Sequence, residues 1–247
     1  MSLLDTLSGG GKQDSTKNYG IVVGIVTNNQ DPDKMHRVKV KFPWLSDDQE
    51  SWWARIATFM AGGKRGGYFL PEVDDEVLVA FEHGDMRFPY VLGSVWNGKD
   101  APPTLSTDAI DGGSGEIAAR AFVSRKGHKL EFVETDGITL TSGDGSVTIK
   151  LDSKNQKIQI TSGKTIEVKG PNGITFDSGS GAIEFKGQGL KLTSTGDYEL
   201  SATGQLKLSG NAGVKVDGPT INIAATADAE LTSNGVLTVR GTMVKIN

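Results

Sequence analysis

The 247 residues carry 26 Lys and Arg against 30 Asp and Glu, a net charge of −4, with 33 Gly, 7% aromatic residues and no Cys. That balance argues against a nucleic-acid partner held through phosphate contacts, and a chain without Cys has neither a disulfide framework nor thiolate chemistry. No apolar run approaches the roughly eighteen residues a membrane-spanning helix needs, and Met1-Ser-Leu-Leu-Asp-Thr-Leu-Ser8 lacks the basic start and long apolar run of a secretory signal. Synthesis in the cytoplasm without a signal peptide is therefore expected.

Residues 1–18 are polar around Ser8-Gly-Gly-Gly11 and read as a flexible arm. The other reading is an arm that orders on a partner through Leu3, Leu4 and Leu7. From 19 to 97 the texture changes to strands and turns. Ile21-Val-Val-Gly-Ile-Val26 is an apolar strand, Asn28-Asn-Gln-Asp-Pro-Asp33 a turn, and Arg37-Val-Lys-Val-Lys-Phe42 alternates cleanly. Ser51-Trp-Trp-Ala-Arg-Ile56, Glu76-Val-Leu-Val-Ala-Phe81 and Pro89-Tyr-Val-Leu-Gly-Ser-Val95 complete about five strands, with the Gly-rich Ala61-Gly-Gly-Lys-Arg-Gly-Gly67 between them. Their Trp, Phe and Tyr residues are expected to fill a small closed barrel, which a Greek-key barrel of the OB type supplies most economically.

Several motifs here resemble a known family. Asp31-Pro-Asp33, Arg37-Val-Lys-Val40, Trp53-Ala-Arg55, Gly67-Tyr-Phe-Leu-Pro71, Asp75-Glu-Val-Leu-Val-Ala-Phe81, Gly84-Asp85, Arg87-Phe-Pro89 and Val91-Leu-Gly-Ser-Val-Trp-Asn-Gly98 are similar to the OB domain of the phage baseplate assembly protein V family. The same domain occurs in phage central spikes and in VgrG proteins of type VI secretion systems, and Lys126-Gly-His-Lys-Leu-Glu-Phe132 resembles the connector before the VgrG spike repeat. The resemblance implies a spike seated on a trimeric hub or baseplate protein, with a PAAR-type tip protein at the other end. Two departures stand out: the large VgrG hub region is missing, and too few residues follow the barrel for the lysozyme domain of some phage spikes.

Residues 98–123 read as a linker, since Pro102 and Pro103 stop the last barrel strand and Asp111-Gly-Gly-Ser-Gly115 allows a change of direction. Residues 124–247 read as a β-helical spike. Weak beats are expected at Ile138-Thr-Leu140, Val147-Thr-Ile149 and Ile158-Gln-Ile160. Clear ones follow: Ile166-Glu-Val168, Ile174-Thr-Phe176, Ile183-Glu-Phe185, Leu190-Lys-Leu192, Tyr198-Glu-Leu200, Leu206-Lys-Leu208, Val214-Lys-Val216, Ile221-Asn-Ile223, Ala229-Glu-Leu231, Leu237-Thr-Val239 and Val244-Lys-Ile246. Apolar residues two apart, recurring roughly every eight residues between Gly, Ser, Asn, Asp and Thr, mark half-buried strands in a repeat architecture.

One beat buries too little to offset the entropy of ordering its residues, so the strands must stack. A single chain could coil as a β-helix, or three copies could intertwine as a triangular prism. One apolar pair per beat, with no longer superperiod, favours the trimer. Ile166, Val168, Ile174, Phe176, Ile183, Phe185, Leu190, Leu192, Leu200, Leu206, Leu208, Val214, Val216, Ile221, Ile223, Leu231, Leu237 and Val239 are then its axis, in a rod of roughly 50–65 Å at one strand spacing per beat. Val244, Lys245, Ile246 and Asn247 form a blunt end suited to a tip protein.

Chemistry is sparse. Ala61–Gly67 lacks the Gly-Lys-Ser/Thr ending of a phosphate loop. Glu72, Asp74, Asp75 and Glu76 lie on a turn and match no calcium-loop pattern. His36, His83 and His128 lack metal-ligand spacing, and no His-x-His pair closes the chain. Trp44, Trp52, Trp53 and Trp96 read as core and interface packing rather than a stacking platform. No catalytic residue, cofactor or metal is expected. The expected role is a homotrimeric, non-enzymatic spike touching the target membrane transiently; the rivals are a single-chain β-helix enzyme acting on polysaccharide and an OB-fold carbohydrate-binding module.

Overall fold

A computed structural model describes residues 17–246, and the chain divides into two units after Lys169. The protein is all-β. In the first unit, β1 (Val22–Asn28), β2 (Lys39–Phe42), β3 (Ser46–Glu50), β4 (Arg55–Ile56), β7 (Glu76–Phe81) and β8 (Pro89–Ser94) form a six-stranded sheet in the order β3-β2-β1-β7-β8-β4. The strands β5 (Ala61–Gly62) and β6 (Arg65–Gly66) form a separate hairpin. Strand β4 runs parallel to β8, and Val38 and Ala54 exchange backbone hydrogen bonds of 3.0 and 2.7 Å. That bridge curls the sheet back on itself, giving the OB barrel.

Alternation does the sorting. In β7, Val77, Val79 and Phe81 point inward while Glu76, Leu78 and Ala80 are half-buried, and β2 buries Val40 and Phe42 in the same way. The core consists of Val26, Val38, Val40, Val77, Val79 and Val91 with Phe42, Phe81 and Ala54. Trp, Phe and Tyr were expected to fill it; Phe42 and Phe81 do, but the indoles are corrected, since Trp44, Trp52 and Trp96 are exposed and Trp53 is half-buried. The interior of so narrow a barrel suits β-branched side chains. Even Phe42 fits because Gly24 faces it; a Cβ there would lie 3.3 Å from the Phe42 ring and from Val40.

The strands β9 (Ala119–Val123), β10 (Lys129–Val133), β11 (Gly137–Thr141), β12 (Val147–Asp152) and β13 (Lys157–Ser162) form an antiparallel meander, each paired with its sequence neighbour. The expected linker thus supplies β9, and the beats expected at 138–140, 147–149 and 158–160 are β11, β12 and β13, paired within the chain by tight hairpins. At the β10–β11 turn Gly137 has φ of 129° and a Cβ would meet the Leu151 carbonyl oxygen at 2.0 Å, so only Gly lets the neighbouring strand so close.

In the second unit no strand is assigned among the described residues 170–246. Local turns punctuate it, such as Gly173 N–H donating to Gly170 O at 3.0 Å and Gly181 N–H to Ser178 O at 3.0 Å.

Candidate assembly surfaces

Every residue expected on the spike axis is exposed in the single chain, from 47% for Ile174 to 87% for Ile223. Their chain neighbours offer no ladder, so neither the apolar side chains nor the beat backbones find a strand partner within one copy. Val244, Lys245 and Ile246 at the proposed tip are likewise exposed; Asn247 lies outside the described residues.

The meander carries a second apolar surface. Its register places Phe122, Leu130, Leu140, Ile149 and Ile160 opposite one another across all five strands. A second row runs Phe132, Ile138, Leu151 and Ile158. The opposite face holds Lys129, Glu131, Lys150 and Asp152; Glu131 and Asp152 are 2% and 5% exposed, whereas Lys157, Gln159 and Thr161 of β13 on the same face are exposed. Glu131 accepts a hydrogen bond from Ser106 N–H at 2.6 Å and pairs with Lys129 at 2.9 Å. Burial pushes its carboxyl upward, but these donors outweigh that and hold it below the usual range. Asp152 is lowered by the Asn155 side chain and backbone and by Lys150.

The outer wall of the barrel gathers aromatic and charged side chains. Trp52, Trp53, Phe88 and Tyr90 line a cleft of about 420 Å³ together with Arg37, Arg55 and Arg87. Each guanidinium has a carboxylate: Arg37 bridges Asp31 and Asp33 at 2.7 Å each, Arg55 meets Glu82 at 3.4 Å, and Arg87 grips Asp85 at 2.6 Å. Hydrogen bonds from Arg37 hold Asp31, whose side chain is 2% exposed, far below its ordinary range, and Arg87 lowers Asp85 to about 2. Each arginine charge in this cleft is thus offset by a carboxylate. A second cleft, of about 780 Å³, lies beside the β5–β6 hairpin and is lined by Met35, His36, Met60, Tyr68 and Phe69.

The remaining sequence candidates are held in local structure. Glu72 pairs with Arg125 at 2.9 Å, Asp75 accepts from Glu72 N–H at 2.8 Å, and Glu76 accepts from Asn97 at 3.0 Å. Ala61–Gly67 is a hairpin, and the next element after it is the strand β7. His36 meets the Tyr68 hydroxyl at 3.0 Å, His83 sits in a turn at φ of 49°, and His128 Nδ1 accepts from Gly143 N–H at 3.1 Å. Among the described residues no three potential metal ligands converge, and no helix is long and apolar enough to cross a membrane. The ladder of the meander was the surface missed from sequence. Its signal was present in the hairpin turns Asp136-Gly137 and Asp144-Gly145 between alternating runs.

Comparison with known proteins agrees with this geometry. The family described as the type VI secretion system/phage-baseplate injector OB domain matches residues 22–96, spanning β1 to β8. The type VI secretion system spike protein VgrG5 of Pseudomonas aeruginosa is 33% identical over 127 residues, 46% of this chain and 16% of its own length. VgrG3 of Vibrio cholerae, also a type VI spike protein, is 35% identical over 80 residues, 31% of this chain and 8% of its own. The P. aeruginosa spike protein VgrG1b is 29% identical over 151 residues, 59% of this chain and 19% of its own, a match longer than the OB domain alone. An actin cross-linking toxin, VgrG1 of V. cholerae, is 33% identical over 75 residues, 29% of this chain and 7% of its own. The chain thus spans less than a fifth of each of these relatives. Residues 22–96 form an injector OB domain, and the chain is VgrG-like, similar to the baseplate and spike proteins of contractile injection systems.

Proposed function

We propose that this protein is the structural, non-enzymatic central spike of a contractile injection system and works as a homotrimer. One observation carries the reading: the beats from Ile166 to Ile246 alternate as strands do, yet no strand is assigned from 170 to 246 and their large apolar side chains stand exposed. Exposed apolar area on this scale marks an interaction surface, and strand-forming backbone needs a ladder. Three chains wound together supply both. Each beat pairs with beats of the other copies, the apolar pairs close on a shared axis, and winding leaves few open edges. A single-chain β-helix, the scaffold of the rival polysaccharide-active enzyme, would instead stack its strands within one copy.

The parts then take these roles. The OB barrel seats the spike on a trimeric hub below the tail tube. The wound repeats form a stiff prism that concentrates the force of sheath contraction on a small area of target membrane. Val244, Lys245, Ile246 and Asn247 receive a PAAR-type tip protein. The particle is assembled from cytoplasmic protein and delivered outward on contraction, with no cofactor and no nucleic-acid partner. Light scattering on the purified chain is expected to give three times 26.2 kDa. A monomer at working concentration overturns the proposal.

A further inference from the structure

We propose that the outer cleft of the OB barrel around Trp52 is a binding site for a neutral oligosaccharide, with one pyranose ring stacked on the exposed indole. Every residue of the site belongs to one chain, so it is independent of the homotrimeric reading.

The cleft holds four aromatic rings, and three of them are already covered. Arg37 and Lys39 lie over Trp53 at 5.8 and 5.5 Å, Arg55 over Tyr90 at 4.4 Å, and Arg87 over Phe88 at 5.7 Å. Trp52 has no cation and no second ring over it among the described residues, and it is 66% exposed. The barrel core is complete without it. The electron-rich face of an indole suits a surface of polarised C–H bonds, and the faces of a pyranose ring are such surfaces.

The walls decide the charge of the ligand. Four carboxylates, of Asp31, Asp33, Glu82 and Asp85, pair with the three guanidiniums. A phosphate or sulfate would therefore have to displace a carboxylate already in place, against the pairing that holds it. Neutral hydrogen bonding is still on offer. Among the described residues Arg55 uses only Nη2, toward Glu82 and the Tyr90 hydroxyl, and Arg87 uses Nε and Nη2 toward Asp85. Each guanidinium thus keeps further N–H donors, and Asp33 accepts from Arg37 through Oδ2 alone. Donors and an acceptor beside an aromatic platform match hydroxyls that both give and take hydrogen bonds around a sugar ring. A nucleotide also stacks, but its phosphate brings a charge that this balance does not reward.

The site is formed before any ligand arrives. Strand β4 pairs with β8 in the register Arg55 to Tyr90. The Ser51 hydroxyl donates to Trp52 O at 2.7 Å while accepting from Val40 N–H at 3.1 Å, and the Tyr90 hydroxyl donates to Glu82 at 2.6 Å. Walls fixed in this way lose little freedom on binding. The cleft volume of about 420 Å³ lies toward the lower end of the usual range for ligand sites, about 300–1,000 Å³, which suits one or two rings of a longer chain.

Titration calorimetry on the full chain tests the site, with cellotriose and chitotriose as probes and oligothymidylate as the anionic control. Either trisaccharide should bind with a Kd of about 1 mM or below, and added salt should leave that Kd unchanged. Trp52→Ala, its folding checked by circular dichroism, should raise Kd at least about fivefold, the lower end of what loss of a stacking ring costs a base-binding site. Trp96→Ala, at a position 68% exposed but outside the cleft, should bind as the parent does. No saturable heat from either sugar, parent-like binding by Trp52→Ala, or binding of oligothymidylate alone overturns the site, and none of these outcomes bears on the spike.

Discussion

Phe69 stacks on Phe122 of β9, the ring centroids 5.8 Å apart and the planes 18° from parallel. Phe69 belongs to the loop before β7, so this pair fastens the OB barrel to one corner of the meander's apolar face, and the Arg125–Glu72 ion pair adds a second tie. Replacing Phe69 by Ala removes a stacked pair worth about 0.5–1.5 kcal/mol beyond its buried area. The expected result is faster hydrogen exchange in β9 and β10, with β1 and β7 as protected as before.

The barrel's valine core sets a contrast between two aromatic positions. Phe42 is 3% exposed, so Phe42→Ala should cost about 3–5 kcal/mol. Trp52 is 66% exposed, and Trp52→Ala should change stability by less than about 0.5 kcal/mol. Urea titration of the two variants checks the difference, and a large loss for Trp52→Ala would contradict the description of the core.

Within the repeats, Ile183→Asp or Leu208→Asp places three carboxylates near one axis in the proposed trimer, where neither water nor a cation offsets them. Each is expected to abolish assembly while leaving the barrel folded, as read by size and by near-ultraviolet circular dichroism. A full-length, heat-resistant trimer from either variant would displace the inward assignment.

Acid should weaken the first unit. Arg87 lowers Asp85 from 3.8 to about 2, hydrogen bonds from Ser142 and Ser146 do the same for Asp144, and Asp31 and Glu131 are lowered as well. A carboxyl lowered in the folded state binds its proton less readily there than in the unfolded chain. Its stabilisation is therefore complete above the unfolded value near 4 and disappears as pH falls through the folded one. Denaturant midpoints should stay level from neutral pH to about 5 and fall steeply between about 4 and 2. Asp85→Asn should shrink that fall.

His128 links two loops by accepting the Gly143 N–H. His128→Ala should cost about 0.5–1.5 kcal/mol, the worth of one such bond, and leave trimer assembly and injection intact. A large loss of injection with unaltered assembly would point to chemistry at this position.

Much of the barrel was legible because its strands alternate against a single core: Arg37–Phe42 and Glu76–Phe81 bury the residues their pattern assigns. What the pattern could not convey was size. A period of two marks which side chains turn inward, not how much room they find, so the interior went to valines and the indoles to the surface. The same limit governs residues 138–160. Ile138-Thr-Leu140 reads identically whether its neighbour is the next hairpin strand or another copy of the chain, and only the Asp-Gly turns distinguish the two. For the repeats the limit has another source. In the proposed trimer their partners come from the other copies, and the single chain leaves the proposed axis residues bare.

That bareness has a cellular consequence. On the homotrimeric reading, a copy that misses its companions presents residues 170–246 as an open substrate for proteases, whereas the wound form hides the cleavable backbone. Survival then depends on synthesis being fast enough for copies to meet. On that reading orphans are cleared, and only wound trimers accumulate.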